Sequence, residues 1–149
     1  MPTALQGIAK QAAHDQSYRF RHRFGLLPMA SVLRGWPLLK KRAASGVDRI
    51  SARGYGARLH DHVTSLVERV KTQGYRAQWV RRPYIPQGQG ARRPLGLPAT
   101  EAKLLQTAVT RRRDAIDEQD VLARSSGSRK KSGARDAVRD LTRHLPCGP

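Results

Sequence analysis

The chain has 149 residues, room for one domain at most, and 29 basic against 11 acidic residues give it a formal net charge of +18. Such a chain repels itself unless a polyanion offsets the charge, and nucleic acid is the first candidate. The lone Cys147 excludes a disulfide framework and a cysteine-based zinc site. Because no apolar stretch approaches the ~18 residues of a membrane span and the start lacks a signal-peptide core, we expect a cytoplasmic protein with no membrane partner.

The first third of the sequence predicts little regular structure. Residues 1–17 are polar and small without periodicity, which indicates a disordered tail. In residues 19–41 basic and apolar positions alternate, and Pro28 and Pro37 allow only a short or kinked helix. Residues 43–51 include a glycine and predict a loop.

Two stronger patterns follow along the chain. Apolar residues at helical spacing predict an amphipathic helix between Ser51 and Gly74. These residues are Leu59, Val63, Leu66, Val67 and Val70. Side chains then alternate with a period of two through residues 75–85, a turn-forming run occupies 86–90, and a second extended stretch covers 92–97. The sequence therefore predicts a β-hairpin with a glycine-rich tip.

The last third returns to helical patterns. Thr100 is positioned to cap a helix that carries apolar residues as far as Ile116, and Arg112 lies on the apolar face of that helix. Residues 125–133 are Ser, Gly, Lys and Arg, which predict a loop, and a final helix covers residues 134–145. The predicted fold class is α+β, with helices flanking one basic β-hairpin.

A sharp electrostatic feature is the stretch from Arg69 to Thr100, which holds seven basic residues and no acid. The hairpin lies inside it, and guanidinium groups together with the backbone N–H groups of a glycine-rich tip bind phosphate oxygens. The candidate phosphate-binding and nucleic-acid-binding residues are Arg81, Arg82, Tyr84, Gly88, Gly90, Arg92 and Arg93. Trp79 and Tyr84 can stack on bases. The alternative is an ordinary solvated hairpin with Trp79 in the core.

Other charged clusters carry less information. Arg129, Lys130 and Lys131 form a secondary basic patch that adds non-specific nucleic-acid affinity, with a merely solvated face as the alternative. Asp136 and Asp140 are four residues apart on a predicted helix, but arginines alternate with them, which favours ion pairs over a metal site. No spacing indicates a catalytic residue, a metal ligand or a cofactor site.

Four blocks resemble, in order, the N-terminal part of a bacterial group II intron-type reverse transcriptase, or maturase. They are AASGVDRIS at 43–51, YIP and RPLGLP within 84–98, KLLQ at 103–106 and ARDAVR at 134–139. The resemblance implies that residues 18–145 are part of the fingers of a right-hand polymerase, an incomplete domain, with 146–149 as a tail and the catalytic palm absent. It further implies a role in retrotransposition and intron splicing.

The same resemblance implies roles for single residues. Arg93 would contact the triphosphate of an incoming dNTP. Residues 84–86 would form the strand, and the hairpin would bind RNA or an RNA/DNA hybrid. Gln87 stands where the family has a lysine, which removes one cation from the phosphate site. Arg112 and Arg113 replace apolar family positions, which weakens packing.

The resemblance also bears on activity. The family's catalytic aspartates, which hold Mg²⁺ for RNA-directed DNA synthesis, follow the region that this chain resembles. We therefore expect the chain alone to be inactive and without a cofactor of its own. A separate palm-containing chain is one candidate partner. The alternative is a stand-alone basic RNA-binding or ribonucleoprotein-assembly protein.

Overall fold

A computed structural model describes residues 4–15, 18, 27–120 and 133–144. These residues confirm the predicted α+β class with six α-helices and one two-stranded antiparallel sheet. The elements are α1 (Ala4–His14), α2 (Met29–Leu33), α3 (Ala52–Ala57), α4 (Leu59–Lys71), β1 (Tyr84–Pro86), β2 (Arg92–Pro94), α5 (Thr100–Asp120) and α6 (Ala134–His144). Contacts divide the chain into two units, a first unit of Arg19–Arg113 and a second unit of Met1–Tyr18 with Asp114–Pro149.

The core of the first unit lies where the sequence predicted its amphipathic helix. Val63 and Leu66 of α4 are fully buried, and they belong to one apolar cluster with Val32 of α2 and Leu104 of α5. The predicted helix is present but divided in two, since the backbone of Arg58 leaves the helical region between α3 and α4. The Ser51 hydroxyl accepts a hydrogen bond from the Gly54 N–H at 3.1 Å and so caps the N-terminus of α3.

The two prolines act as predicted. Pro28 directly precedes the short helix α2, and Pro37 lies in a single 3₁₀ turn, Trp36–Leu38. The ring of Trp36 lies 5.8 Å from the ring of Tyr55, so this turn packs against the apolar core. This segment therefore contains little regular secondary structure, and the contact between the rings of Trp36 and Tyr55 holds it against the core.

The predicted hairpin is confirmed in a shorter form. Tyr84 pairs with Pro94, and the antiparallel register continues to an isolated bridge between Arg81 and Leu97. Residues 75–80, predicted as part of the first strand, make no strand pairing. Alternation of side chains alone cannot show whether a partner strand extends far enough to pair with them.

Helix α5 begins at Thr100, but the predicted cap is wrong. The Thr100 hydroxyl donates to the carbonyl of Ile50 at 2.9 Å, and the residue is buried, so its side chain holds the loop before α3 and does not cap its own helix. Arg112 lies on the apolar side as predicted. It is half-buried, and desolvation lowers the pKa of its guanidinium.

The second unit corrects the prediction of a disordered N-terminal tail. Residues 4–14 form α1, with Leu5 and Ile8 half-buried and Ala12 buried at helical spacing. Small residues hid this apolar stripe, since alanine favours helix while adding little to a hydrophobic pattern. The predicted last helix is confirmed as α6, and Asp136 caps it by accepting from the Gly133 N–H at 3.0 Å. None of the helices in the described ranges is long and apolar enough to cross a bilayer.

Candidate nucleic-acid interface

We call residues 74–98 the hairpin segment. No residue from Glu68 to Pro98 is buried, although buried residues occur on both sides, at Val67 and Ala99. Tyr75 at the start of the segment packs against the core, and the rest of the segment adds no buried residue. The segment also contains no acidic residue, so its exposed arginines have no acid close to them in the sequence.

The four predicted hairpin arginines are all exposed. Arg81 and Arg82 precede β1, while Arg92 and Arg93 begin β2. Within the described ranges, none of these four guanidinium groups forms an ion pair or a hydrogen bond to another side chain. Their charge is therefore available to a ligand in solution.

The register divides these arginines between two faces. Cross-strand partners share a face and neighbouring residues point to opposite ones. Arg93 pairs with Ile85, and the same register places Arg81 on that face. Arg92 pairs with Pro86, which places it with Tyr84 and Arg82 on the other face. The sequence predicted one site of four arginines, whereas the structure forms two pairs.

Two aromatic side chains of the segment are open to solvent. Tyr84 is 61% exposed and Trp79 is 89% exposed. The alternative in which Trp79 belongs to the core is therefore wrong. A tryptophan with almost its whole surface in water gives up a large apolar burial, which is typical of an aromatic that meets a partner.

The tip of the hairpin is narrow and open. It is closed by a hydrogen bond from the Gln87 N–H to the Ala91 carbonyl at 2.7 Å. Gln89 and Gly90 have left-handed backbones, with φ of 62° and 78°. A Cβ added at Gly88 or Gly90 would meet no atom within 4 Å, so the tip leaves room for the close approach that was predicted for these glycines.

The base of the hairpin is anchored by the loop 43–51. A Cβ on Gly46 would lie 2.6 Å from the backbone N of Ala99, so only glycine fits this contact. The Lys103 ammonium donates to the Ala44 carbonyl at 2.7 Å, next to the bond from Thr100 to Ile50. Sequence reasoning predicted the loop but not this contact, and two blocks of the resemblance, 43–51 and 84–98, meet here.

The start of the segment is held by an ion pair. Arg69 of α4 donates to Glu101 of α5 at 2.6 Å, with both side chains partly exposed. Tyr75 lies against Arg69, and burial, reinforced by the Glu101 carboxylate, raises the pKa of the Tyr75 phenol. The same two causes raise the pKa of the buried Tyr55 phenol. These contacts fix where the hairpin segment leaves the core.

The remaining predicted clusters have different outcomes. Arg129, Lys130 and Lys131 lie outside the described residues. Asp136 pairs with Arg139 at 3.5 Å, which confirms the ion pairing predicted for α6. Across the described ranges no group of three His, Cys, Asp or Glu side chains could hold a metal ion. The described residues therefore do not fit the Mg²⁺ that the resemblance implies for the complete enzyme.

Comparison with known proteins gives one informative match. No known protein-family profile matches the chain. The chain is similar to the protein YkfC of Escherichia coli (strain K12), with 30% identity over 146 residues that cover 95% of this chain and 38% of that protein. The chain thus spans well under half the length of this curated relative.

Proposed function

We propose that the chain binds RNA through the hairpin segment. The observation that carries the proposal is the combination of four exposed arginines without acidic partners and an absence of acids along the whole segment. Phosphate groups supply the missing negative charge, and each arginine that meets a phosphate releases condensed counterions, which favours binding. The exposed Trp79 adds a ring on which an unpaired base can stack.

We further propose that this RNA-binding surface belongs to the fingers of a group II intron-type reverse transcriptase. The four blocks of the resemblance support this, as does the packing of the loop 43–51 against the base of the hairpin. In that setting the bound nucleic acid is the template or an RNA/DNA hybrid. Arg93 is our candidate for the dNTP triphosphate, since a guanidinium fork matches phosphate geometry.

The second candidate is a stand-alone RNA-binding or ribonucleoprotein-assembly protein. It is favoured by the first unit, which buries an apolar cluster of its own around Leu66 and Leu104. Translation of the DNA that follows the coding region separates the two candidates. A palm segment with paired aspartates, in frame or after a frameshift, supports the polymerase reading, and its absence supports the stand-alone protein.

Salt-dependent RNA binding tests the proposal. The experiment measures the anisotropy of a labelled single-stranded RNA over a series of salt concentrations for the full chain and for a variant with Arg81, Arg82, Arg92 and Arg93 changed to Gln. Two to four lost phosphate contacts should reduce the slope of log K against log salt by about 1.4 to 2.8, at roughly 0.7 per contact.

Two controls test whether the location of the charge matters. A matched variant changes four exposed cations of the first unit, Lys40, Arg42, Arg49 and Arg53, to Gln. Another changes Arg129, Lys130 and Lys131. We expect both slopes to stay within roughly one contact, ~0.7, of the unmodified chain. Equal losses in all three variants would show that the charge acts diffusely and that the hairpin is not the site.

A primer-extension assay tests the activity of the chain by itself. We expect no template-dependent incorporation of dNTP with Mg²⁺ or Mn²⁺, because Asp136 is occupied in capping α6 and pairing with Arg139. Incorporation that is abolished by Asp136→Ala or Asp140→Ala would contradict this account of α6. Activity restored by a separately expressed palm segment would support the polymerase reading.

A further inference from the structure

The two faces of the hairpin differ in their exposure to solvent. We call the side with Arg82, Tyr84 and Arg92 the tyrosine face, and the side with Arg81, Ile85 and Arg93 the isoleucine face. Every residue of the tyrosine face is exposed between positions 82 and 96. Within the same range the isoleucine face has one half-buried residue, Pro83. The tyrosine face is therefore exposed at every position from 82 to 96, whereas the isoleucine face is partly covered at Pro83.

Small and rigid residues lie near Tyr84 on the tyrosine face. Gly96 lies on it without a side chain, and Val80 fills the adjoining space, its Cγ1 lying 3.3 Å from where a Gly96 Cβ would be. Pro86 and Pro94 add short rigid rings on the same side. The Tyr84 side chain accordingly keeps 61% of its surface exposed on this face.

The chemistry of the two faces differs as well. Arg82 and the partner position of Arg92 lie two residues on either side of Tyr84, about 7 Å along the strand. One aromatic ring between two cations can stack a base and bind the phosphates that flank it. The isoleucine face instead combines its two arginines with the aliphatic side chains of Ile85 and Leu95, which offer no ring for stacking.

We infer that the hairpin binds RNA with its tyrosine face and that Tyr84 makes this face prefer unpaired nucleotides to duplex. The inference rests on the proposed function and narrows it to three residues. A duplex keeps its bases stacked on each other, so it can use Arg82 and Arg92 but not the Tyr84 ring. The preference for single strands over duplex therefore depends on the Tyr84 ring. The affinity for both forms of RNA depends on Arg82 and Arg92.

Paired variants of equal charge test the assignment of the face. One variant carries Arg82→Gln and Arg92→Gln, the other Arg81→Gln and Arg93→Gln, and each is measured with a 12-nucleotide oligo(U) and a 12-base-pair RNA duplex at 0.1 M salt. Loss of two phosphate contacts on the tyrosine face should weaken oligo(U) binding by roughly 25-fold, at a slope of ~0.7 per contact. The isoleucine-face variant should lose less than threefold. Far-ultraviolet circular dichroism of both variants confirms that the helices are intact.

Substitutions of the ring test the preference for single strands. Tyr84→Leu should lower the ratio of oligo(U) affinity to duplex affinity at least fivefold, whereas Tyr84→Phe, which keeps the ring, should leave the ratio unchanged. Equal losses in the two arginine pairs, or a larger loss on the isoleucine face, would overturn the inference and leave the hairpin as the binding site. If neither pair changes binding, the proposed function itself fails.

Discussion

The helical core of the first unit and the hairpin segment differ in the contacts that their cations make within the fold. At the border of the core, Arg69 pairs with Glu101, Lys103 donates to the Ala44 carbonyl, and Arg111 donates to the Arg34 carbonyl. The hairpin segment has exposed arginines, no acid and no buried residue. Contacts within the fold thus hold these three cations of the core, while the four hairpin arginines have no acidic partner among the described residues.

Stability and binding should therefore depend on different regions of the molecule. Burial of apolar surface stabilises the core, so substitutions there should lower the free energy of unfolding. The hairpin segment contributes little burial, so substitutions there should leave stability unchanged and alter affinity.

The largest expected effect is the loss of a core leucine. Leu66 has no exposed surface, so Leu66→Ala should lower the free energy of unfolding by about 2–5 kcal/mol through lost burial and the cavity left behind. Ile85→Ala, at a half-exposed hairpin position, should change it by less than about 0.5 kcal/mol. Urea denaturation measures both. Similar losses at the two sites would mean that the hairpin segment is packed as tightly as the core.

A smaller loss is expected at the joint between the two regions. In Gly46→Ala the new methyl group would meet the backbone of Ala99 at 2.6 Å, so the loop or the base of the hairpin must shift, at a cost of about 1–3 kcal/mol. Gly88→Ala is the matched control, since a Cβ there meets nothing within 4 Å. Unchanged stability in Gly46→Ala would show that the loop yields freely and does not anchor the hairpin.

Trp79 should affect binding alone. Its ring is 89% exposed, so Trp79→Ala should leave the melting temperature unchanged while it weakens single-stranded RNA binding by about 1–3 kcal/mol through lost stacking. Trp79→Phe, which keeps a ring, should retain most of the affinity. A lower melting temperature with unchanged affinity would place this side chain in a structural role.

The smallest effect concerns pH. Burial raises the pKa of Tyr55 above its ordinary value near 10, so above that pH the unfolded chain loses a proton that the folded chain keeps. Stability should therefore fall by up to about 1.4 kcal/mol per pH unit above pH 10. Tyr55→Phe should remove the part of this pH dependence that Tyr55 contributes. If stability falls as steeply above pH 10 in the variant as in the unmodified chain, this prediction is wrong.

The same variant should not weaken the fold at neutral pH. The buried Tyr55 hydroxyl has no hydrogen-bond partner among the residues that the structure describes. Removing an unsatisfied buried hydroxyl is neutral or stabilising, whereas removing a bonded one is costly. A clear loss of stability at pH 7 would show that a water molecule or another group satisfies this hydroxyl.

The sequence predicted the elements better than their contacts. The helix carrying Leu66, the hairpin and α6 all follow from periodicity, which reports a buried face directly. The division of the arginines between two faces depends on register, which is fixed only when the length of the turn is known. The Thr100 contact could not be predicted, because its partner Ile50 lies far away in the sequence.

Photocrosslinking tests the central claim that the hairpin segment meets the nucleic acid. The unmodified chain is bound to a single-stranded RNA that carries 4-thiouridine, irradiated, digested and mapped by mass spectrometry. We expect crosslinks to lie within the hairpin segment, with Trp79 and Tyr84 among the modified residues, since both rings are exposed beside arginines. Crosslinks confined to the helices or to the loop 43–51, with none in the hairpin segment, would contradict this assignment of the binding site.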